Sequence, residues 1–243
     1  MTHIFLSTKT SAPHQDFIKD VDQLGVLFLH APVLRVEFLS PEIVFPFPAV
    51  CMIVSSQYAL DQLDVSLLPK TIKIFCVGHS VYRALERKGY RDNVSMYETA
   101  EHLVQDIETS PEAFSDIFFP RGADVHQDFK AVCTRHGISL YDPIVYRTHP
   151  VSCWPQEVLD VLHARDAVTI GVYSAQGARA LSGLIDAHNL ESTVIRTKLL
   201  CLSDRMLKYL SNWSWKACFV SIRPTRKALL EMLKHIHTME CSK

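Results

Sequence analysis

The residues best suited to chemistry fall just after short apolar runs: Thr8 and Lys9, Ser55 and Ser56, Gly78-His79-Ser80, Arg121 and Gly122, Ser174-Ala175-Gln176, and Ser203-Asp204. A helical pattern follows each run. A Ser or Thr at such a junction caps the helix by accepting from its free N–H groups. The same N–H groups and the helix dipole attract anions, so capping and anion binding coexist at one place. Lys9 and Arg121 add cations, and Arg35, Arg147 and Arg179 are further cations that could add positive potential at a hinge and cleft. Tyr146 stands apart, in an extended run before Arg147-Thr148. Its phenol can donate a hydrogen bond to a leaving group or orient a ligand, and it can equally be a half-buried aromatic with no chemical task.

Other chemistries lack their residues. No G-x-G-x-x-G follows an apolar run, and no G-x-x-x-x-G-K-[ST] occurs, so the phosphate-cradling glycines of dinucleotide and P-loop sites are missing from a chain with only 8 glycines. There is no H-E-x-x-H and no G-x-S-x-G. His235-x-His237 and Cys241 offer metal-binding side chains only at a terminus expected to fray, so no metal is expected there. The seven cysteines include no C-x-x-C pair, and several sit in apolar runs such as Ile74-Phe75-Cys76-Val77. They read as small buried hydrophobes in a reducing compartment.

Composition narrows the partners. A net charge of −1 gives no global field for nucleic acid or membrane, so an anionic ligand must be met by local cations. The start carries no signal-peptide pattern. The most apolar stretch, 26–56, is broken by Pro32, Pro41, Pro46 and Pro48 and by Arg35, Glu37 and Glu42, so it does not span a membrane. A cytoplasmic protein is expected. No heptad or exposed apolar repeat requires a dimer, so a monomer is expected.

These residues need a scaffold that repeats a strand followed by a helix. Apolar runs at 4–6, 26–29, 50–55, 71–77, 94–97, 117–119, 167–173, 199–202 and 217–221 alternate with helical patterns. Such alternation implies parallel sheets covered on both faces. In sheets of this kind ligands gather at the carboxyl ends of the strands.

An internal repeat organises the alternation. His14-Gln15-Asp16-Phe17 recurs as His126-Gln127-Asp128-Phe129. Lys9 and Arg121 stand eight residues before the phenylalanine, and Gly25 and Gly137 eight after it. Val54-Ser55-Ser56-Gln57-Tyr58-Ala59 resembles Tyr173-Ser174-Ala175-Gln176-Gly177-Ala178, and Thr99-Ala100 occupies the place of Pro224-Thr225. The order of the matches is circular, so the N-terminal unit must complete the C-terminal block. We therefore expect two similar flavodoxin-like α/β lobes: residues 1–32 with 150–243, and residues 38–143. Segments 33–37 and 144–149, both β-prone, would join them as a two-stranded hinge across a cleft.

With that layout, the chain resembles the uroporphyrinogen-III synthase (HemD-like) family over nearly its whole length. The resemblance rests on the permuted lobes, Val54-Ser55-Ser56, Cys76-Val77-Gly78-His79-Ser80, Phe119-Pro120-Arg121-Gly122, Val145-Tyr146-Arg147-Thr148, Tyr173-Ser174-Ala175 and Pro224-Thr225. It implies a lyase without cofactor or metal, acting on hydroxymethylbilane, a linear tetrapyrrole with acetate and propionate arms. In the accepted scheme hydroxide leaves to give an azafulvene, and a spiro intermediate forms, fragments and recloses with ring D inverted. The family's recurrent tyrosine falls on Tyr146. The resemblance also implies substrate contacts at Thr8, Lys9, Ser55, Ser56, Ser80, Arg121, Gly122, Ser174, Ala175, Gln176 and Ser203. The chain departs from the family's Gly-Pro-x-Thr turn: Ser203-Asp204-Arg205-Met206 stands there, with Met206 at the threonine. That departure motivates an alternative, a related module that binds an anionic tetrapyrrole without turnover.

Overall fold

The computed structural model describes residues 2–39, 51–64, 68–69, 71–124, 128–164, 167–223 and 225–241. Pro41, Glu42, Pro46, Pro48, His126, Gln127 and Pro224, used above, lie outside the described residues, as does the side chain of Cys241. The N-terminal elements are β1 (His3–Ser7), α1 (Gln15–Gln23), β2 (Val26–His30) and β3 (Leu34–Phe38). The middle of the chain forms β4 (Cys51–Val54), α2 (Gln57–Asp61), β5 (Lys73–Val77), α3 (His79–Arg87), β6 (Val94–Tyr97), α4 (Ala100–Thr109), β7 (Ile117–Phe118), β8 (Arg121–Gly122), α5 (Phe129–Arg135), β9 (Leu140–Tyr141) and β10 (Ile144–Pro150). The remainder is α6 (Gln156–Ala164), β11 (Val168–Val172), α7 (Ala175–Ala187), α8 (Glu191–Val194), β12 (Lys198–Cys201), α9 (Asp204–Leu207), β13 (Ala217–Val220) and α10 (Arg226–Cys241).

These elements form two compact units, Met1–Arg35 with His149–Lys243, and Val36–Thr148. The first holds a parallel sheet ordered β13-β12-β11-β1-β2, the second a parallel sheet ordered β6-β5-β4-β7-β9. The orders match strand for strand, with β1 seated beside β11 as β7 is beside β4. This is the two-lobe α/β architecture the alternation and the repeat imply.

Successive side chains point to opposite sides of each sheet, and helices bury both faces of its inner strands. In the first unit Ile4, Leu6, Ile170, Val172 and Leu199 face α6 and α7, while Phe5 and Leu200 face α1 and α10 through Val21, Leu229 and Leu233. In the second, Met52, Val54, Ile74 and Cys76 meet Leu60, Val81 and Leu85 of α2 and α3, while Ile53, Phe75 and Ile117 meet α4 and α5. Gly25 and Gly137, matched in the repeat, follow α1 and α5 at φ 74° and 66°. A left-handed residue at that place closes the last helical turn, and glycine adopts it without strain.

The connecting segments depart from expectation. Val151 donates its N–H to Val33 C=O and Leu39 to Val145 C=O, so β3 and β10 run antiparallel. A third strand, β8, pairs parallel with β10, so the sheet is three-stranded, in the order β3-β10-β8. Arg121-Gly122 carries no strand signal of its own and is extended because β10 supplies a partner. The cysteine reading also needs correction: Cys51, Cys76, Cys133 and Cys201 are buried, but Cys153 and Cys218 are exposed. Burial pushes the thiols of Cys76 and Cys133 up to about 11 and that of Cys201 to about 12, which keeps them protonated. No helix among the described residues is long and apolar enough to cross a membrane.

Candidate functional site

The strand ends carry the candidate residues, but not all of them are open to a ligand. Ser56 accepts from Tyr58 N–H at 3.2 Å as the cap of α2, and Ser174 accepts from Gly177 N–H at 3.0 Å as the cap of α7. The sheet registers correct the sequence alignment here. Cys51 pairs with Ile117 where Thr169 pairs with Phe5, so Val54 matches Val172 and Ser56 matches Ser174. Ser55, aligned with Ser174 on sequence, is exposed and matches Tyr173 instead. Adjacent serines allowed that one-residue slip.

Thr8 is buried, and its hydroxyl donates to Gly171 C=O at 2.8 Å, so it ties β1 to β11 and offers no open donor. Beside it, Ser7 donates to the Tyr173 hydroxyl at 2.9 Å, and burial pushes that phenol up to about 12. Lys9 is exposed by area, yet enough protein surrounds its ammonium to hold it below the ordinary lysine value through lost solvation. Its carbonyl accepts from Nε2 of His30 at 2.7 Å.

Ser80 is exposed on the first turn of α3, behind Gly78. Ser203 holds the place of Gly78 before α9, half-buried and making no side-chain bond to its own helix. The Met206 that stands at the family's threonine is buried in the core of its unit, as is Val81 at the equivalent place in the other. This position packs the core in both units. Ala175 and Gln176 lie half-buried on the first turn of α7. Gln176 and Arg179 line a cavity of about 490 Å³ with Val151, Ser152, Ala180 and Leu184. Arg179 lies over the Tyr209 ring at 4.5 Å and donates to its hydroxyl at 2.8 Å.

Arg121 is a held cation. Its Nε donates to Asp142 at 2.8 Å and a terminal nitrogen donates to Gly122 C=O at 3.1 Å. Gly122 is buried and pairs with Tyr146 across β8 and β10. The half-buried Tyr146 ring lies against it and also meets Tyr58 at 5.6 Å between centroids, with Phe38 beyond Tyr58 at 6.4 Å. Asp142 and Tyr58 are the site neighbours that sequence reasoning missed. His237, considered above as a metal ligand, stacks on buried His3 at 5.4 Å.

The model of the HEM4 family, uroporphyrinogen-III synthase HemD, matches residues 15–231. The chain belongs to the uroporphyrinogen-III synthase family. Its activity is that of the family, a lyase reaction that cyclises hydroxymethylbilane in haem biosynthesis. Two solved structures share its fold. The uroporphyrinogen-III synthetase from Helicobacter pylori 26695 is 12% identical, with 97% of this chain and 100% of that one covered and a TM-score of 0.63. A mutant uroporphyrinogen III synthase from the extremely thermophilic bacterium Thermus thermophilus is 15% identical, with 98% and 100% covered and a TM-score of 0.55. No match was found among the curated proteins.

Proposed function

We propose that Tyr146 is the acid of the cyclisation and that the strand-end residues bind the substrate's carboxylates. The phenol donates to the terminal hydroxyl of hydroxymethylbilane as the C–O bond breaks. Electrons from the pyrrole nitrogen form the azafulvene, and the hydroxyl leaves as water. The carbon that finally closes the ring loses a proton, which restores the phenol. The harder task is to fold the linear chain so that inverted closure outruns the uninverted one, and this is chiefly positioning. Helix N-termini behind Ser56, Ser80, Ser174 and Ser203, with Lys9 and Arg121, suit acetate and propionate arms and let a chain of net charge −1 hold a polyanion.

The observation that carries this reading is the seat of Tyr146, a half-buried phenol against Gly122 on the strand that also holds Arg121. The reading has the enzyme acting as a monomer in the cytoplasm, with no cofactor, nucleic acid or membrane. Freshly generated hydroxymethylbilane tests the activity. Uroporphyrinogen III in excess over isomer I, formed faster than without enzyme, is expected. Isomer I alone at the uncatalysed rate would overturn the assignment.

A further inference from the structure

We infer that Gly122 and Tyr58 are positioning residues that fix where the Tyr146 hydroxyl sits. The inference rests on the catalytic reading of Tyr146 and adds how its proton is aimed. A Cβ at Gly122 would lie 2.7 Å from Cζ of Tyr146, 2.8 Å from its hydroxyl oxygen and 3.0 Å from Cε2. Those are the reacting end of the ring and the carbons beside it. The backbone at Gly122 is not left-handed, so torsion gives no reason for glycine there. Space for the phenol does.

The strand beneath the ring is held firmly. Arg121 is paired with Asp142, and Ala123 donates its N–H to Tyr146 C=O at 2.9 Å. A methyl group at residue 122 would therefore displace the ring more readily than the backbone. Tyr58 forms another wall, tilted 57° to the Tyr146 ring and itself met by Phe38. A tyrosine has two side-chain torsions, and walls of this kind select one orientation. Shifts of about 1 Å in a reacting group cost up to about a hundredfold in rate.

The test compares four variants in the full-length enzyme: Gly122→Ala, Tyr58→Ala, Tyr146→Phe, and the Gly122→Ala/Tyr146→Phe double variant. Gly122→Ala is expected to lower kcat about tenfold or more, with KM within about twofold, and Tyr58→Ala to lower it less. The decisive readout is the double-mutant cycle. Once the hydroxyl is gone its position has no value, so Gly122→Ala should cost nothing further in the Tyr146→Phe background. Equal losses in both backgrounds would show a merely structural role and overturn the inference, as would a folded Gly122→Ala enzyme with parental kcat. If Tyr146→Phe itself keeps parental kcat, the catalytic reading fails, and the inference with it. Should Gly122→Ala not fold, Tyr58→Ala enters the same cycle and decides by the same criterion.

Discussion

Lys9 and Arg121 stand four residues past Phe5 and Ile117, which hold equivalent places in the two sheets. The strands beside them match as well: Phe28 pairs with Phe5, and Leu140 with Ile117. Two residues further along those neighbours come His30 in one unit and Asp142 in the other. Asp142 takes up the Arg121 guanidinium directly, whereas His30 reaches the Lys9 carbonyl and brings no negative charge. The repeat has kept the backbone and changed the electrostatics. One corner carries a compensated ion pair, with 18% and 24% of its side chains exposed, that braces the strand under Tyr146. At the other, no carboxylate among the described residues pairs with the cation, and lost solvation disfavours its charge. We propose that the second corner meets the substrate's carboxylates and that the first supports the acid chemistry at Tyr146.

This contrast can be broken at several points. The largest effect is expected from Tyr146→Phe, which should lower kcat about a hundredfold in steady-state assay while the melting temperature holds. Next comes Lys9→Met, for which KM should rise about tenfold, the worth of one charge-assisted hydrogen bond. Its thermal stability should equal or exceed that of the parent, because the folded protein no longer carries a poorly solvated ammonium. The sign with pH follows from the lowered pKa. Below the folded value both states are charged and the parent bears the full penalty. Between that value and the ordinary 10.5 the unfolded chain binds more protons, so parental stability rises with pH. Melting curves of parent and Lys9→Met should therefore converge toward pH 10.5.

Arg121→Ala should raise KM only about threefold, because its charge is already met, and should cost about 1–2 kcal/mol of stability by leaving Asp142 unpaired. Denaturant melts should show part of that loss recovered when Asp142→Asn is added. Smallest for turnover are Ser56→Ala and Ser174→Ala. Each should lose about 1 kcal/mol of stability as a helix cap, by similar amounts in the two units, with kcat little changed.

Much of the scaffold was legible because the strands are buried on both faces. Runs such as Ile74-Phe75-Cys76-Val77 leave few alternatives, and Gly25 with Gly137 marked matching helix ends. The run of apolar segments leaves α6 out, although Pro155 ahead of Val158, Leu159 and Leu162 is a start signal followed by helical spacing. β8 left no trace, since its extension comes from pairing with β10. At the site, the repeat pointed to the cations but not to their partners. Asp142 reaches Arg121 across 21 residues of sequence, and Tyr58 reads as an ordinary residue in a first helical turn until β10 brings Tyr146 beside it. The hydroxyl of Thr8 looked available because nothing in the chain announces Gly171 as its acceptor.

The division between the two corners is tested most directly by measuring kcat and KM for Tyr146→Phe and Lys9→Met side by side on hydroxymethylbilane. Tyr146→Phe is expected to lose kcat and keep KM, while Lys9→Met raises KM and keeps kcat. A shift of the same parameter in both, or of neither, would contradict it.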